Sequence, residues 1–240
     1  MTKRQAPEER SWPPHGFPKA GPDLSDVPEV VVLRLPLYVR ALAQLLHAGV
    51  NVISSQELGE MLQMTAAQIR KDLSYFGRFG KQGRGYNVQF LLQQLRSILG
   101  LERQWNVALI GVGRLGRSII GYPGFAPEGF RIVAAFDSDP RQIGQVVGGV
   151  MVRPVSELEQ AIAAQDISIA IVAVPASQAQ QVLDLLVRAG VRAVLNYAPV
   201  APQAPNGVKV RTLDPVLAMQ TMTYYLYRSL TVHKEDTRKA

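Results

Sequence analysis

The sequence predicts an α/β chain with an N-terminal winged helix-turn-helix domain, a Rossmann-like doubly wound parallel sheet and a separate C-terminal helix. Two short helical segments within 54–76, followed by a run of glycines and cations, predict the winged domain. After residue 106, apolar β-branched segments alternate with amphipathic ones, which is typical of a doubly wound sheet. The breaks between these segments predict domains at 29–100, 101–213 and 214–240.

The composition restricts the class of protein. A chain of 240 residues can bury two cores, and it has no uninterrupted apolar run of about eighteen residues. The absence of cysteine excludes disulfides, thiolate metal sites and a cysteine nucleophile. Because the N-terminus lacks an apolar signal core, we expect a cytoplasmic protein with neither a membrane nor a metal partner. A net charge of +7 favours a polyanionic partner, provided that the cations are concentrated in one region.

The N-terminal region changes character near residue 29. Residues 1–28 contain six prolines and no apolar periodicity, so we predict a disordered tail. Apolar residues then recur at spacings of three and four, which predicts a first helix that ends at Gly49.

Two capping signatures open the next two helices. Ser54 precedes Glu57 by three residues, and Thr65 precedes Gln68 by the same spacing, so each pair predicts a capping box. Two short helices joined by a brief turn form a helix-turn-helix. We expect this DNA-binding motif to begin near Leu37, in the first helix, and to end near Phe76.

The second helix of this motif has two contrasting faces. At about 100° per residue, Ile69, Leu73 and Phe76 share an apolar face. The opposite face is small, polar and basic, which suits a helix that enters the major groove of DNA. The residues of this helix that we expect to contact DNA are Gln68, Arg70, Lys71, Ser74 and Tyr75.

The glycine-rich segment 77–86 predicts a β-hairpin wing. Between residues 70 and 84, five cations and one acid, Asp72, give 5 − 1 = +4 of the net charge of +7. Such concentrated charge suits a surface that follows phosphates, and we expect Lys81 and Arg84 to contact them. The alternative is a basic face on a domain that binds protein. Asn87 then caps a helix over 88–99.

A glycine motif follows the first strand of the second domain. The segment 107–111 is apolar, and its last residue begins the pattern G-x-G-x-x-G, with a helix expected from Arg114. The first glycine permits a tight turn, the second lets backbone approach a pyrophosphate, and the third lets helix and sheet pack closely. The residues that we expect to form this phosphate loop are Gly111, Val112, Gly113, Arg114, Leu115 and Gly116.

An acid stands at the spacing that the glycine motif requires. The second strand, 130–136, is followed by Asp137, about twenty residues beyond the last glycine. A carboxylate there accepts hydrogen bonds from both ribose hydroxyls of NAD and repels the additional phosphate of NADP, so we expect NADH and NAD⁺ as ligands. A glycine-rich turn in another α/β protein is the alternative.

The remaining segments extend the sheet with helices over 156–164 and 178–189 and strands over 167–174, 191–195 and 208–211. Ligands bind at the carboxyl edge of such sheets, so we expect Val174, Pro175 and Asn196 to face the cofactor. Ordinary turn chemistry explains Pro175 and Asn196 equally well.

The last helix begins after Asp214, which caps it, and Pro215. Its side chains are apolar on more than one side. The helix therefore needs a second burial surface.

Taken in order, these motifs resemble the Rex family of redox-sensing transcriptional repressors over about residues 30–230. A helix-turn-helix followed directly by an NAD-type fold is a rare combination. The segments that carry the resemblance are L-P-L-Y-V-R (35–40), S-S-Q-E-L-G-E (54–60), I-R-K-D-L-S-Y-F-G (69–77), G-R-G-Y-N (83–87), G-V-G-R-L-G (111–116), F-D-S-D-P (136–140), V-P-A (174–176) and N-Y-A-P (196–199).

The resemblance implies a homodimer that binds a palindromic operator in double-stranded DNA when NADH is scarce and releases it when NADH binds. It implies that the basic helix and the wing contact DNA, and that the phosphate loop and Asp137 contact the cofactor. It also implies that Tyr122, near the nicotinamide, forms a switch with Asp214, that Arg40 lies near the domain junction, and that the last helix is swapped between subunits.

Two positions depart from the family pattern. Gln82 stands where wings of this family often carry a cation, and Pro215 stands where Leu or Phe is common. The first departure affects the expected contact of the wing with the minor groove, and the second affects how the last helix begins.

The principal alternative is an NAD-dependent oxidoreductase with an appended helix-turn-helix. Hydride transfer to a carbonyl needs a proton donor near the nicotinamide, usually His, Lys or Tyr. No histidine occurs between His47 and His233, and no lysine between Lys81 and Lys209. The donors that remain are Tyr122 and Tyr197. The sequence therefore favours a regulator over an enzyme.

Overall fold

A computed structural model describes residues 27–81 and 84–239. The predicted disordered tail, 1–28, lies outside these residues except for its last two, and Gln82 lies outside them too. The chain divides into two compact units between Glu102 and Arg103.

The first unit is a winged helix-turn-helix, as predicted. Strand β3 lies between β1 and β2 and is antiparallel to both. The β2–β3 hairpin forms the predicted wing, and β1 is a third strand that the sequence analysis did not predict. The elements are α1 (Glu29–His47), β1 (Val52–Ile53), α2 (Ser55–Leu62), α3 (Ala66–Ser74), β2 (Gly80–Lys81), β3 (Gly85–Asn87) and α4 (Val88–Ile98).

Helix α1 forms the centre of this unit. Its buried residues Leu35, Tyr38 and Leu42 recur at spacings of three and four and share one core with Leu91 and Leu95 of α4. By length and composition alone α1 would be able to cross a membrane. Its buried stripe instead packs as the core helix of the winged unit.

Leu37 and Phe76, the expected ends of the helix-turn-helix, lie within α1 and just after α3 respectively. Helix α1 begins at Glu29 and continues past Leu37 to His47. The Leu37 side chain is 47% exposed and lies outside the buried stripe of that helix. Within this motif the two short helices joined by a brief turn are α2 and α3. Phe76, its expected end, follows α3 and is buried in the core.

The first of the two predicted capping boxes is complete, and the second is not. The Ser54 hydroxyl accepts from the Glu57 amide at 3.1 Å, and Glu57 accepts from the Ser54 amide at 2.8 Å. Thr65 accepts from the Gln68 amide at 3.1 Å, but the Gln68 side chain donates forward to Asp72. The prediction of a second box was therefore wrong in its reciprocal half, because a buried carboxylate competes for Gln68.

The second unit is a seven-stranded sheet in the order β10-β9-β8-β4-β5-β7-β6. Every neighbouring pair is parallel except β6 and β7. Its elements are β4 (Trp105–Ile110), α5 (Arg114–Ile120), β5 (Phe130–Asp137), β6 (Val146–Val147), β7 (Val150–Pro154), α6 (Leu158–Ala164), β8 (Ile169–Val172), α7 (Ala176–Arg188), β9 (Ala193–Asn196), β10 (Lys209–Thr212) and α8 (Pro215–Lys239).

Alternate residues of β4 enter cores on opposite faces of the sheet. Ala108 and Ile110 share a core with residues of α6 and α7, whereas Val107 and Leu109 pack with Ile119 of α5. Helices therefore cover both faces, which confirms the doubly wound architecture predicted from the sequence.

The β6–β7 hairpin at the edge of the sheet was not predicted. Gly148 and Gly149 connect its strands, with φ angles of +57° and +82°. Two glycines between apolar pairs are the usual signal for a tight hairpin turn, and this signal would have located the strands.

Candidate functional site

A cleft of about 510 Å³ opens at the carboxyl edge of the sheet. Neighbouring strands β4 and β8 connect to helices on opposite faces, and ligands of open α/β sheets bind at such a switch point. Five of the sequence-predicted cofactor residues line the cleft: Gly111, Gly113, Asp137, Val174 and Pro175.

The three glycines of the loop have different surroundings. Gly111 has a φ of +92°, and a Cβ there would lie 2.5 Å from the carbonyl oxygen of Ala173. A Cβ on Gly116 would collide with the carbonyl oxygen of Gly111. Gly113 has an ordinary φ of −68°, and a Cβ there would meet nothing within 4 Å. Gly111 and Gly116 therefore shape the loop, while Gly113 leaves open a space that a side chain would fill.

Asp137 supports the loop as well as lining the cleft. Its Oδ2 accepts from the backbone N–H of Val112 at 2.7 Å, and its Oδ1 accepts from that of Asp139 at 2.9 Å. An ionised carboxylate has about four acceptor positions, so ribose hydroxyls can still bind. The sequence analysis missed the contact with Val112. The start of the next helix follows directly, with Arg114 and Leu115 exposed in its first turn.

Asn196 is buried but does not line the cleft. Its Nδ2 donates to the carbonyl oxygens of Ala198 and Val200 at 3.1 and 2.7 Å, and its Oδ1 accepts from the Ala198 amide at 3.0 Å. The side chain holds the turn after β9. Its assignment to the cofactor is therefore corrected to the turn chemistry that the sequence left open.

Of the three predicted switch residues, Tyr122 and Asp214 belong to the unit that holds the cleft, and neither lines it. Tyr122 follows α5, is 60% exposed, and packs edge to face on Phe125 with ring centroids 5.3 Å apart. Asp214 caps α8 by accepting from the Val216 amide at 2.8 Å. Arg40 is exposed on α1 in the other unit. Their switch role stays a prediction.

A second groove, of about 670 Å³, lies between α3 and the wing. Arg70, Ser74 and Arg78 line it, and the Arg70 Nη1 donates to the Ser55 hydroxyl at 2.9 Å. Lys71 and Arg84 are also exposed. The described part of this surface thus offers cations to a polyanion, as a DNA-binding face requires.

Two residues of the predicted DNA-binding set, Tyr75 and Gln68, make contacts within the winged unit. Tyr75 is half-buried and packs against the core, and the Gln68 amide donates to Asp72 at 2.7 Å. Lys81 lies in β2, and its side chain is outside the described residues.

The wing is anchored by two aromatic side chains. Phe79 and Tyr86 are both buried in the core of the winged unit. The sequence analysis placed these aromatics at the ends of the glycine-rich segment but did not assign them this role.

Asp72 is completely buried, which corrects its interpretation as an acid that offsets the basic surface. Arg34 of α1 donates to it through Nε at 2.6 Å and through Nη2 at 2.8 Å, and the Tyr38 hydroxyl donates at 2.5 Å. The carboxylate is therefore neutralised inside the unit, and the cations of the surface stand without it. Asp72 lies three residues after Ile69, so the helical spacing would have placed it on the buried face.

The Asp72 network predicts a loss of stability in acid. Burial alone would raise the pKa of Asp72, but hydrogen bonds from Arg34, Tyr38 and Gln68 outweigh burial and hold the pKa below its usual 3.8. The stabilisation is present above the usual pKa and is lost as the pH falls through the lower, folded-state pKa. The melting temperature should therefore decrease as the pH is lowered through this folded-state pKa. Asp72→Asn should remove this part of the pH dependence. The same change of melting temperature with pH in the wild type and in Asp72→Asn would contradict this prediction.

Among the described residues, no group of three or more His, Asp or Glu side chains is arranged to hold a metal ion.

Two family descriptions match parts of the chain. Residues 26–74 match "Putative DNA-binding protein N-terminus", and residues 102–200 match "CoA binding domain". The two matches fall on the winged unit and on the unit that holds the cleft.

Relatives and solved structures match nearly the whole chain. The redox-sensing transcriptional repressor Rex of Roseiflexus sp. (strain RS-1) is 55% identical over 89% of this chain and 97% of its own length. The crystal structure of RSP in complex with beta-NAD⁺ and operator DNA has a TM-score of 0.81 at 39% identity, covering 89% of this chain and 99% of that chain. The structure of RSP with beta-NADH has a TM-score of 0.79 at 38% identity, covering 87% and 98%. The chain therefore belongs to the family of redox-sensing transcriptional repressors named Rex.

Proposed function

We propose that this protein is a transcriptional repressor that binds operator DNA when NADH is low and leaves it when NADH binds. The observation that carries the proposal is the presence, in one chain, of a glycine loop left open at Gly113 and an exposed basic face on α3. The RSP complexes, one with NAD⁺ and operator DNA and one with NADH, support both halves.

In this proposal, helix α3 and the wing contact different parts of the DNA. Arg70 and Lys71 of α3 reach base edges in the major groove, and the wing with Arg84 follows the phosphates. A homodimer would present two such modules to the two halves of a palindromic operator, which lie about 34–36 Å apart, one turn of the duplex. A regulator of this kind works in the cytoplasm, where DNA and the NADH pool are both accessible.

The cofactor half requires that NADH bind one arrangement of the dimer better than the other. A ligand with equal affinity for both arrangements shifts nothing, however tightly it binds. NADH lacks the positive charge of the nicotinamide ring of NAD⁺, so an apolar nicotinamide pocket would desolvate NADH at lower cost. The coupling is reciprocal. Operator DNA lowers the affinity for NADH by the same factor by which NADH lowers the affinity for operator DNA, about 5–150-fold for a coupling free energy of 1–3 kcal/mol.

A titration tests this proposal directly. The wild-type chain first selects its operator duplex from a randomised library, and the affinity for that duplex is then measured by fluorescence anisotropy at increasing NADH. NAD⁺ is the matched control because it differs only at the nicotinamide. We expect NADH to release the duplex at concentrations where NAD⁺ does not. An affinity unchanged by saturating NADH would contradict the proposal, and consumption of NADH in a panel of carbonyl compounds would favour a dehydrogenase.

Substitution of Arg70 and of Arg84 should have different effects on DNA binding. Arg70→Ala should cost about 1–3 kcal/mol on the operator and relax preference at particular bases, because bidentate contacts discriminate between bases. Arg84→Ala should weaken all duplexes alike and reduce the log–log salt slope by about one unit, because it removes a phosphate contact. Binding measured on operator and random duplexes over a salt series separates the two. Equal losses for Arg70→Ala on both duplexes would make Arg70 a phosphate contact instead.

A further inference from the structure

The inner side of α3 carries a fully buried carboxylate that is held almost entirely from α1. Arg34 and Tyr38 lie one helical turn apart on α1, and both donate to Asp72. The guanidinium binds through two nitrogens, at 2.6 and 2.8 Å, so it fixes the plane of the carboxylate as well as its distance. Gln68, one turn earlier on α3, donates to the same carboxylate at 2.7 Å.

Stability alone is a weak reason for such a network. Removing two charges from water costs free energy that their attraction only partly returns, and apolar pairs of similar volume are often as stable or more so. What the network adds is a defined orientation. An apolar contact tolerates small rotations of a helix, whereas a carboxylate hydrogen-bonded to two nitrogens of one guanidinium does not. A fixed rotation of α3 about its axis matters most for the residues on the outer side of this helix.

Arg70 and Lys71 immediately precede Asp72 on the same helical turn. The outer end of a long side chain lies roughly 6 Å from the axis of its helix, so a rotation of about 20° displaces it by roughly 2 Å. Hydrogen bonds to base edges tolerate only a few tenths of an ångström, about 2.7–3.2 Å between heavy atoms. Phosphate contacts by flexible cations tolerate more, because they need no exact alignment.

We propose that Arg34 and Tyr38 are positioning residues for operator recognition, which by holding Asp72 fix the rotation of α3 and so determine the bases that Arg70 and Lys71 can reach. The inference rests on the proposed DNA-binding function. It separates discrimination between sequences, which depends on the network, from general affinity for DNA, which depends on the surface cations.

The test compares three variants of the full-length chain. Arg34→Met combined with Asp72→Leu replaces the ion pair with apolar side chains of similar volume, and Tyr38→Phe removes a single hydroxyl. Leu95→Ala is the control, because Leu95 is buried in α4 and its loss destabilises the same core without touching Asp72. Each protein selects duplexes from a randomised library, and its affinity is measured on the wild-type operator and on a random duplex, with folding followed by circular dichroism.

We expect the Arg34→Met/Asp72→Leu protein to stay folded, to bind random duplex as the wild type does, and to lose roughly ten- to a hundredfold in the ratio of operator to random affinity. Tyr38→Phe should lose less in the same ratio, and Leu95→Ala should keep the ratio despite its lower melting temperature. Unchanged base preferences in both network variants would overturn the inference, as would an equal loss of preference in Leu95→Ala. Failure of the wild-type chain to prefer any sequence would instead overturn the proposed function.

Discussion

A chain with Gly113→Val should fold, bind operator DNA with wild-type affinity and no longer respond to NADH. Gly113 has a φ of −68°, which valine adopts, and a Cβ there meets no protein atom within 4 Å. The added side chain therefore enters only the open space in which we propose that the pyrophosphate binds. Each charge-assisted hydrogen bond lost costs about 1.5–3 kcal/mol. NADH affinity should therefore fall roughly ten- to a hundredfold for each bond.

The matched control for this variant is Gly121→Val, at the opposite end of α5. Gly121 also has an ordinary φ, −83°, and the nearest atom to a Cβ there is the Arg117 carbonyl oxygen at 3.5 Å, an ordinary contact. Calorimetry with NADH and anisotropy with the operator duplex measure the two functions separately. Wild-type NADH affinity in Gly113→Val would show that the pyrophosphate does not approach this loop, whereas loss of operator binding in it would show that the loop also controls the winged unit.

The sequence predicted the parts of each site that depend on local pattern. Glycine spacing located a turn with a positive φ at residue 111 and a close contact between helix and loop at residue 116, and capping residues located the start of α2 and α3. The exposed face of α3 followed from helical spacing alone. These features are local because their cause, a φ angle or an orphan backbone N–H, lies within a few residues of the signal.

The features that were missed depend on partners distant in sequence. Asp72 was interpreted as a surface acid, because its partner Arg34 lies 38 residues earlier. Asp137 accepts from Val112, 25 residues earlier, so the residue expected to select the ribose also holds the phosphate loop. A single sequence contains the residue types but not these pairings.

Removal of residues 214–240 should abolish dimerisation and the response to NADH together. Helix α8 spans 25 residues, and its described apolar side chains are exposed, from 55% for Val216 to 71% for Tyr227. Exposed apolar side chains in such number along one helix indicate an interface with a partner. A second copy is the partner that the proposed palindromic operator requires. Without it, each winged unit binds a half-site alone, and the gain from two linked sites, about 10²–10⁴-fold, is lost.

A milder pair of variants distinguishes loss of the interface from loss of the fold. Leu217→Glu with Tyr225→Glu places charges on the apolar surface of α8, and Gln220→Glu adds a charge at a position that is already polar and exposed. Sedimentation should show monomers for the truncated chain and for the double variant but dimers for the control, with NADH binding at the glycine loop retained in all three. If the truncated chain stays dimeric and still releases the operator when NADH is added, α8 is not the switch element. The coupling must then pass through the segment 101–106 that joins the two units.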